Sequence, residues 1–203
     1  GREVFAVYSV GCTEIPVVQF FGQGMAMASL PQITALVKER QWDRVRRVWR
    51  DILTRMYGFA VPIVIGLVLA AKPLILLLFP PEYAGAVSIF AVNSLIKLNL
   101  IWNATLVLRA LNRNDVFLRV NLATIAIGTP LMWLVARTTA DPTAVIATQA
   151  VLIVTSRLLS VYFLNRVSGL DLPYVVHPRE IVALYRESWA KIRARLPLIG
   201  GTA

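Results

Sequence analysis

The stretch YGFAVPIVIGLVLAAKPLILLLF, residues 57–79, decides the fold class of this chain. It contains one charged side chain, Lys72, and it is long enough to cross the hydrocarbon core of a bilayer, which takes about 20 residues of α-helix. Membrane-spanning β-strands alternate apolar and polar residues, whereas residues 74–79 (LILLLF) are apolar without interruption. The stretch therefore predicts a transmembrane helix, and the chain is predicted to be an all-α integral membrane protein.

Other apolar blocks of comparable length lie at approximately residues 4–30, 84–111, 117–136 and 144–164. The composition agrees with a lipid environment, because 57% of the residues are hydrophobic, against about 45–50% in soluble domains. The mean hydropathy is +0.65. We therefore expect a bundle of about five transmembrane helices in residues 1–169, followed by an amphipathic tail in residues 170–203.

The formal charge of +10 comes from basic residues that cluster in particular loops. This clustering argues against a nucleic-acid partner and predicts a membrane orientation instead. The loop at 37–55 is rich in Lys and Arg, the connection Pro80–Tyr83 has none, and basic residues return at 109–119 and beyond Arg166. Since cytoplasmic loops carry the excess of Lys and Arg, we expect the first helix to start outside and the C-terminal tail to be cytoplasmic.

The N-terminal end does not have the pattern of a signal peptide. An apolar block begins almost directly after Gly1, without a charged region and a small-residue cleavage site before it. We expect a fragment whose N-terminal helices are absent. The lone Cys12 excludes a disulfide framework and a Cys-rich metal site within the chain.

Two stretches outside the apolar blocks repeat apolar residues at helical spacing among arginines. They are Trp42, Val45, Val48, Trp49 and Ile52, and then Ile181, Leu184, Tyr185, Trp189, Ile192 and Leu196. Both are predicted to be amphipathic helices along the cytoplasmic face, with Trp and Tyr at headgroup level. For the first stretch, a cytoplasmic extension of a transmembrane helix is an equally open interpretation.

Several short motifs follow one another in an order found in one family. Tyr8-Ser-Val-Gly11 and Ser29-Leu-Pro-Gln-Ile33 lie in the first block, and Ala71-Lys-Pro-Leu-Ile-Leu-Leu-Leu-Phe79 leads into Glu82-Tyr83-Ala-Gly-Ala86. The third block closes on Arg109-Ala-Leu-Asn-Arg113. Up to about Gly169, the chain resembles the C-terminal half of the polysaccharide-transporter branch of the multidrug/oligosaccharidyl-lipid/polysaccharide flippase superfamily. A Gly commonly follows the Phe in that family, where this chain has Pro80.

The resemblance implies the fold of multidrug and toxin exporters (MATE-like), in which two pseudo-symmetric lobes of six helices rock around a central cavity. The predicted spans would be the second to sixth helices of the C-terminal lobe. The resemblance further implies a multi-pass protein of the bacterial inner membrane that flips polyprenyl-pyrophosphate-linked oligosaccharide for cell-surface polysaccharide biosynthesis. Its partners would be that lipid-linked glycan, membrane lipids, and glycosyltransferases or a polymerase of the same pathway.

Lys97 is the leading candidate for contact with such a substrate. It lies near the middle of the third block, where a charge costs at least ~2.5–3.5 kcal/mol. On a continuous helix, Asn93 would lie one turn away on the same face, and Asn99 and Asn103 would form a second polar strip. Lys97 either faces a cavity and binds pyrophosphate or sugar, or is neutralised by a partner such as Glu14.

Glu14 lies inside the first block, and two interpretations of it stay open. It is a proton or sodium site that couples transport, or it is the structural partner of Lys97, because buried carboxylates in membranes pair or titrate.

Arg109 and Arg157 lie nearer the predicted cytoplasmic ends of their helices. We expect them to snorkel to the interface. The alternative is that they receive the pyrophosphate, because the guanidinium fork matches phosphate oxygens.

No sequence pattern points to an enzyme, a metal ion or a cofactor. There is no His/Glu or Cys cluster at metal-ligand spacing and no phosphate-binding Gly-rich loop. Two alternative functions stay open. One is a multidrug or toxin exporter of the same superfamily, whose cavity would use acidic residues, and the other is a non-transporting scaffold of a polysaccharide-synthesis complex.

Overall fold

A computed structural model describes residues 2–195, and these residues form helices joined by short turns, without a β-strand among them. The α-helices are α1 (Arg2–Gly11), α2 (Val17–Lys38), α3 (Trp42–Leu69), α4 (Ala71–Leu78), α5 (Ala86–Ile96), α6 (Thr105–Ala110), α7 (Asn114–Thr139), α8 (Pro142–Ser168) and α9 (Pro178–Arg195). Two 3₁₀ segments, Pro81–Gly85 and Lys97–Ile101, precede and follow α5.

Four helical runs in the described part of the chain are long and apolar enough to cross a membrane. They are Trp42–Leu69, Pro81–Ala110, Asn114–Thr139 and Pro142–Ser168. The all-α class is confirmed for the described residues, and the predicted spans 84–111, 117–136 and 144–164 correspond to three of these runs. The block at 57–79 is instead divided between the end of α3 and α4, with Ala70 in a turn between them.

The structure differs from the prediction of one continuous helix over residues 4–30. Here α1 ends at Gly11, residues 12–16 are not helical, and α2 starts at Val17. Pro16 lies at the break, where the missing N–H prevents an uninterrupted helical hydrogen-bond ladder. Neither α1 nor α2 is among the four candidate spans.

The arginine-rich stretch after Gln41 is a direct extension of the second span. Helix α3 runs without interruption from Trp42 to Leu69, so the interpretation as an extended transmembrane helix is the one that the structure supports. Its apolar side does not face lipid headgroups, because Val45, Trp49 and Leu53 are fully buried against the rest of the protein.

Helix α3 lies at the centre of the packing. It contacts α2, α5 and α9, while α8 joins α5 to α7. The main hydrophobic cluster combines Trp49 and Leu53 of α3 with Ile33 of α2, Leu108 of α6 and Leu164 of α8. Burying such large apolar side chains is worth about 1.5–3 kcal/mol each in water, and inside a bilayer their close packing stabilises the bundle.

The segment after α8 is part of this core and not a separate tail. Gly169 ends α8 in the left-handed conformation at φ 65°, and Leu170, Leu172 and Val176 are buried in the main cluster. We call residues 170–176 the docked segment. The predicted boundary at residue 170 therefore marks the end of a helix but not the end of the packed unit.

Helix α9 packs across α3 with part of its length. The Tyr185 hydroxyl donates a hydrogen bond to the Gly58 carbonyl, and a Leu184 methyl lies close to the same glycine. Val182 and Trp189 are exposed, and the placement of α9 along the cytoplasmic face stays a prediction. The predicted apolar position at Leu196 lies outside the described residues.

Candidate functional site

Two interrupted helical segments contact each other through Glu14 and Lys97. The first is the break at residues 12–16, which carries Glu14. The second is the third predicted span, where α5 gives way to the 3₁₀ segment at Lys97, and residues 102–104 are not helical. Non-helical backbone at membrane depth is tolerated where it is buried in protein or lines a water-filled cavity. The two breaks are therefore candidate positions for a functional site.

Lys97 and Glu14 face each other across these breaks. The distance from Lys97 Nζ to Glu14 Oε1 is 2.6 Å. The Lys97 side chain is 14% exposed and that of Glu14 is 57% exposed, so the lysine is enclosed while the carboxylate lies at the edge. Of the two open interpretations, the geometry therefore favours the pair. A role of Glu14 in ion coupling stays a prediction.

Asn93 and Asn99 are both buried. Asn93 lies in α5 at 9% exposure. The Asn99 side chain donates a hydrogen bond to the Ile96 carbonyl, where α5 ends. The chain changes from α-helix to 3₁₀ between them, and Asn99 lines a cavity together with Asn103 that Asn93 and Lys97 do not line. A role of these asparagines in substrate binding stays a prediction.

A cavity of about 420 Å³ opens beside the second break. It brings together four of the predicted site residues, Asn99, Asn103, Arg109 and Arg157, whereas Lys97, Asn93 and Glu14 do not line it. The predicted site is thus divided into an ion pair and a separate cavity.

The two cavity arginines come from different helices. Arg109 lies near the end of α6, and Arg157 lies in α8. The guanidinium carbon of Arg157 is 5.9 Å from the centre of the Phe117 ring. Neither arginine forms an ion pair with a described carboxylate, and none of the described residues that line the cavity is acidic. Such uncompensated cations favour an anionic occupant, because the guanidinium fork matches carboxylate and phosphate oxygens.

Sequence reasoning did not assign Gln23 or Phe117 to the site. Gln23 reaches the cavity from α2, and Phe117 comes from the start of α7. Gln23 is a polar residue in an apolar block, and this signal would have been sufficient to include it. Phe117 is indistinguishable in sequence from a lipid-facing aromatic residue, so only the packing identifies it.

The docked segment forms hydrogen bonds with residues at and near the second break. The indole nitrogens of Trp49 and Trp102 donate to the carbonyls of Pro173 and Tyr174, at 3.0 and 2.8 Å. Asn165 forms a two-point contact with the Leu172 backbone, at 2.8 and 3.0 Å. Because Trp102 begins the non-helical stretch after the 3₁₀ segment, the docked segment holds the interrupted part of the third span in place.

Among the residues that the structure describes, no three His, Cys, Asp or Glu side chains lie together in a way that could hold a metal ion. A comparison of the sequence with known protein families found no match, and neither did a comparison with curated proteins.

Proposed function

We propose that this chain is part of a membrane transporter that moves an anionic, lipid-linked oligosaccharide across the bilayer. The observation that carries the proposal is the cavity lined by Arg109 and Arg157, which contains no acidic residue among its described lining. A polyprenyl-pyrophosphate-linked glycan presents phosphate oxygens, for which two arginines are suitable partners, and sugar hydroxyls, for which Asn99, Asn103 and Gln23 supply amide groups.

The location of the arginines agrees with entry from the cytoplasmic leaflet. By the loop charges, α6 and α8 end on the cytoplasmic side, and Arg109 and Arg157 lie in the halves of their spans nearer that side. A substrate made in the cytoplasm would reach these side chains first. Its pyrophosphate would bind the arginines while its polyprenyl chain stays in the lipid.

The wider assignment rests on the family resemblance. In this proposal the chain belongs to the C-terminal lobe of a MATE-like flippase in the bacterial inner membrane, with its C-terminus in the cytoplasm. The two lobes alternate access to a midplane cavity, and no covalent chemistry takes place. Glycosyltransferases or a polymerase of a polysaccharide pathway supply or consume the lipid-linked glycan. A drug exporter is disfavoured, since Arg109 and Arg157 repel cationic drugs.

The test is a binding measurement on the purified chain in detergent, with farnesyl pyrophosphate as the probe and farnesol as its uncharged counterpart. The chain should bind the pyrophosphate and not the alcohol. Arg109→Gln and Arg157→Gln should each weaken binding about 10-fold or more, because a hydrogen bond to a charged group contributes ~1.5–3 kcal/mol. Arg137→Gln, a matched loss of charge on α7 outside the cavity, should have no effect.

Equal binding of farnesol and farnesyl pyrophosphate, or full affinity in the Arg109→Gln/Arg157→Gln double variant, would contradict the proposal. Stronger binding of the cationic dye ethidium than of the pyrophosphate would support the drug exporter. In proteoliposomes that contain the complete gene product, the same two substitutions should slow transbilayer movement of a fluorescent polyprenyl-pyrophosphoryl sugar. Unchanged movement in both variants would show that the two arginines are not required, whereas no movement with the unsubstituted protein would support the scaffold.

A further inference from the structure

A second, separate groove runs between α7 and α8, with a volume of about 470 Å³. Its walls are apolar, with Val116, Val120 and Ile127 from α7 and Leu152, Leu159 and Phe163 from α8. It shares no lining residue with the arginine cavity. The groove is therefore separate from the arginine cavity.

Two of the three hydroxyl side chains that line the groove donate their hydrogen bonds to backbone carbonyls. The Thr124 hydroxyl donates to the Val120 carbonyl at 2.8 Å, and the Ser156 hydroxyl donates to the Ile153 carbonyl at 2.8 Å. Both bonds lie within their own helices. An occupant consequently meets hydrocarbon along most of the groove.

The groove has one closed end. A Cβ atom added to Gly128 of α7 would lie 3.0 Å from a Leu152 methyl, so the two helices are in close contact there. From Val116 to Ile127 the groove follows α7 for about 16 Å, given ~1.5 Å rise per residue. This length matches one leaflet, which is half of a hydrocarbon core about 30 Å thick.

The other end of the groove is basic. Arg113 and Arg119 line it, and Asp115 accepts a hydrogen bond from Arg113 at 3.0 Å and lies 3.7 Å from Arg119. Two cations and one carboxylate leave an excess positive charge, and the Arg119 side chain is 81% exposed. The loop charges assign this end to the cytoplasmic side, where phospholipid phosphates lie.

We propose that this groove binds an anionic phospholipid of the cytoplasmic leaflet, with one acyl chain along α7 and α8 and its phosphate against Arg113 and Arg119. The apolar walls, the length of one leaflet and the basic end match the parts of such a lipid in the same order. Basic pockets between transmembrane helices on the cytoplasmic side are known to take anionic lipid headgroups. A zwitterionic lipid would place the cationic ammonium of its headgroup near the two arginines and is therefore the poorer occupant.

The experiment is native mass spectrometry of the purified 203-residue chain with equal amounts of palmitoyl-oleoyl phosphatidylglycerol and phosphatidylcholine. Phosphatidylglycerol should be retained preferentially. Arg119→Gln should lower its retention about fivefold, because a basic residue at the membrane surface contributes ~1 kcal/mol toward anionic lipid. Arg137→Gln, at the opposite end of the same helix, should leave retention unchanged.

A second pair of variants tests the acyl-chain path. Ala123 lines the groove and Ala126 does not, while both are exposed on α7. Ala123→Phe should abolish retention, and Ala126→Phe should not.

Equal retention of the two lipids, equal effects of Arg119→Gln and Arg137→Gln, or equal effects of the two phenylalanine variants would overturn the proposal. Displacement of the phospholipid by farnesyl pyrophosphate, with sensitivity to Ala123→Phe, would overturn it as well and assign the groove to the transported substrate. These outcomes are independent of the Arg109 and Arg157 results.

Discussion

Lys97 Nζ lies 2.6 Å from Glu14 Oε1, and this contact joins the break between α1 and α2 to the point where α5 becomes a 3₁₀ segment. The pair therefore links two of the places in the described chain where a predicted span is interrupted. A lysine that is 14% exposed needs such a partner, since an uncompensated charge at membrane depth is costly.

The first prediction concerns this pair. Glu14→Gln and Lys97→Met should each destabilise the protein, and the double variant should lose less than the sum, with a coupling of about 1 kcal/mol or more. Thermal unfolding in detergent provides the measurement. The exposed pair Asp51 and Arg55, at 2.9 Å, is the control and should couple by less than ~0.5 kcal/mol. Additive losses for Glu14 and Lys97 would show that they act independently.

The second prediction concerns the docked segment. Leu172 is 1% exposed. Leu172→Ala should lower the free energy of unfolding by about 2–5 kcal/mol, because it leaves a cavity in the core. Val175 is 70% exposed, and its change to Ala should stay within ~0.5 kcal/mol. A truncation that begins at Leu170 should prevent folding, whereas a chain that ends after Val176 should keep its packed core. Equal stability of the two point variants would disprove the role of the segment.

The third prediction concerns the packing of α9 on α3. A Cβ atom on Gly58 would lie 3.2 Å from a Leu184 methyl, whereas one on Gly66 has nothing within 4 Å. Gly58→Val should therefore displace α9 and speed tryptic cleavage at the exposed Arg186, while Gly66→Val, in the same helix, should not. Cleavage at the same rate in both variants would mean that α9 does not depend on this contact.

The fourth prediction concerns topology. In a Cys12→Ala background, single cysteines at Arg44 and at Glu82, both exposed, should react with a membrane-impermeant maleimide from opposite sides of the membrane. The reason is the contrast between the arginine-rich stretch near Arg44 and the connection at Pro80–Tyr83, which has no basic residue. Labelling of both positions from the same side would refute the predicted orientation.

The last prediction concerns whether the charge of Lys97 contacts the substrate or acts only through Glu14. If its charge serves the substrate, Lys97→Arg in the complete gene product should retain part of the polysaccharide export and Lys97→Met should abolish it at normal membrane expression. If Lys97 acts only through Glu14, the double variant Glu14→Gln/Lys97→Met should recover export. Normal export by Lys97→Met alone would assign the substrate contact to Arg109 and Arg157.

The amino-acid sequence alone predicted that this chain lies in a lipid bilayer, and it predicted the positions of most of its helices. Apolar blocks of about 20 residues or more with few charges are long enough to cross a bilayer. Segment length and hydropathy are read from the sequence alone, so most of the candidate spans could be located without knowledge of the helices that pack against them. The sequence also singled out Lys97, Glu14, Arg109 and Arg157, because a charge inside an apolar run is conspicuous.

Only the tertiary structure decided which of these charges meet. Lys97 and Glu14 are far apart in the chain, and they meet where two helices are interrupted. In the same way, Leu170 and Leu172 were predicted to begin an amphipathic tail, whereas hydrogen bonds from the Trp49 and Trp102 indoles and from Asn165 hold the docked segment in the core. The physical reason is that hydrogen bonds and ion pairs between distant residues depend on how helices pack, which no local pattern records.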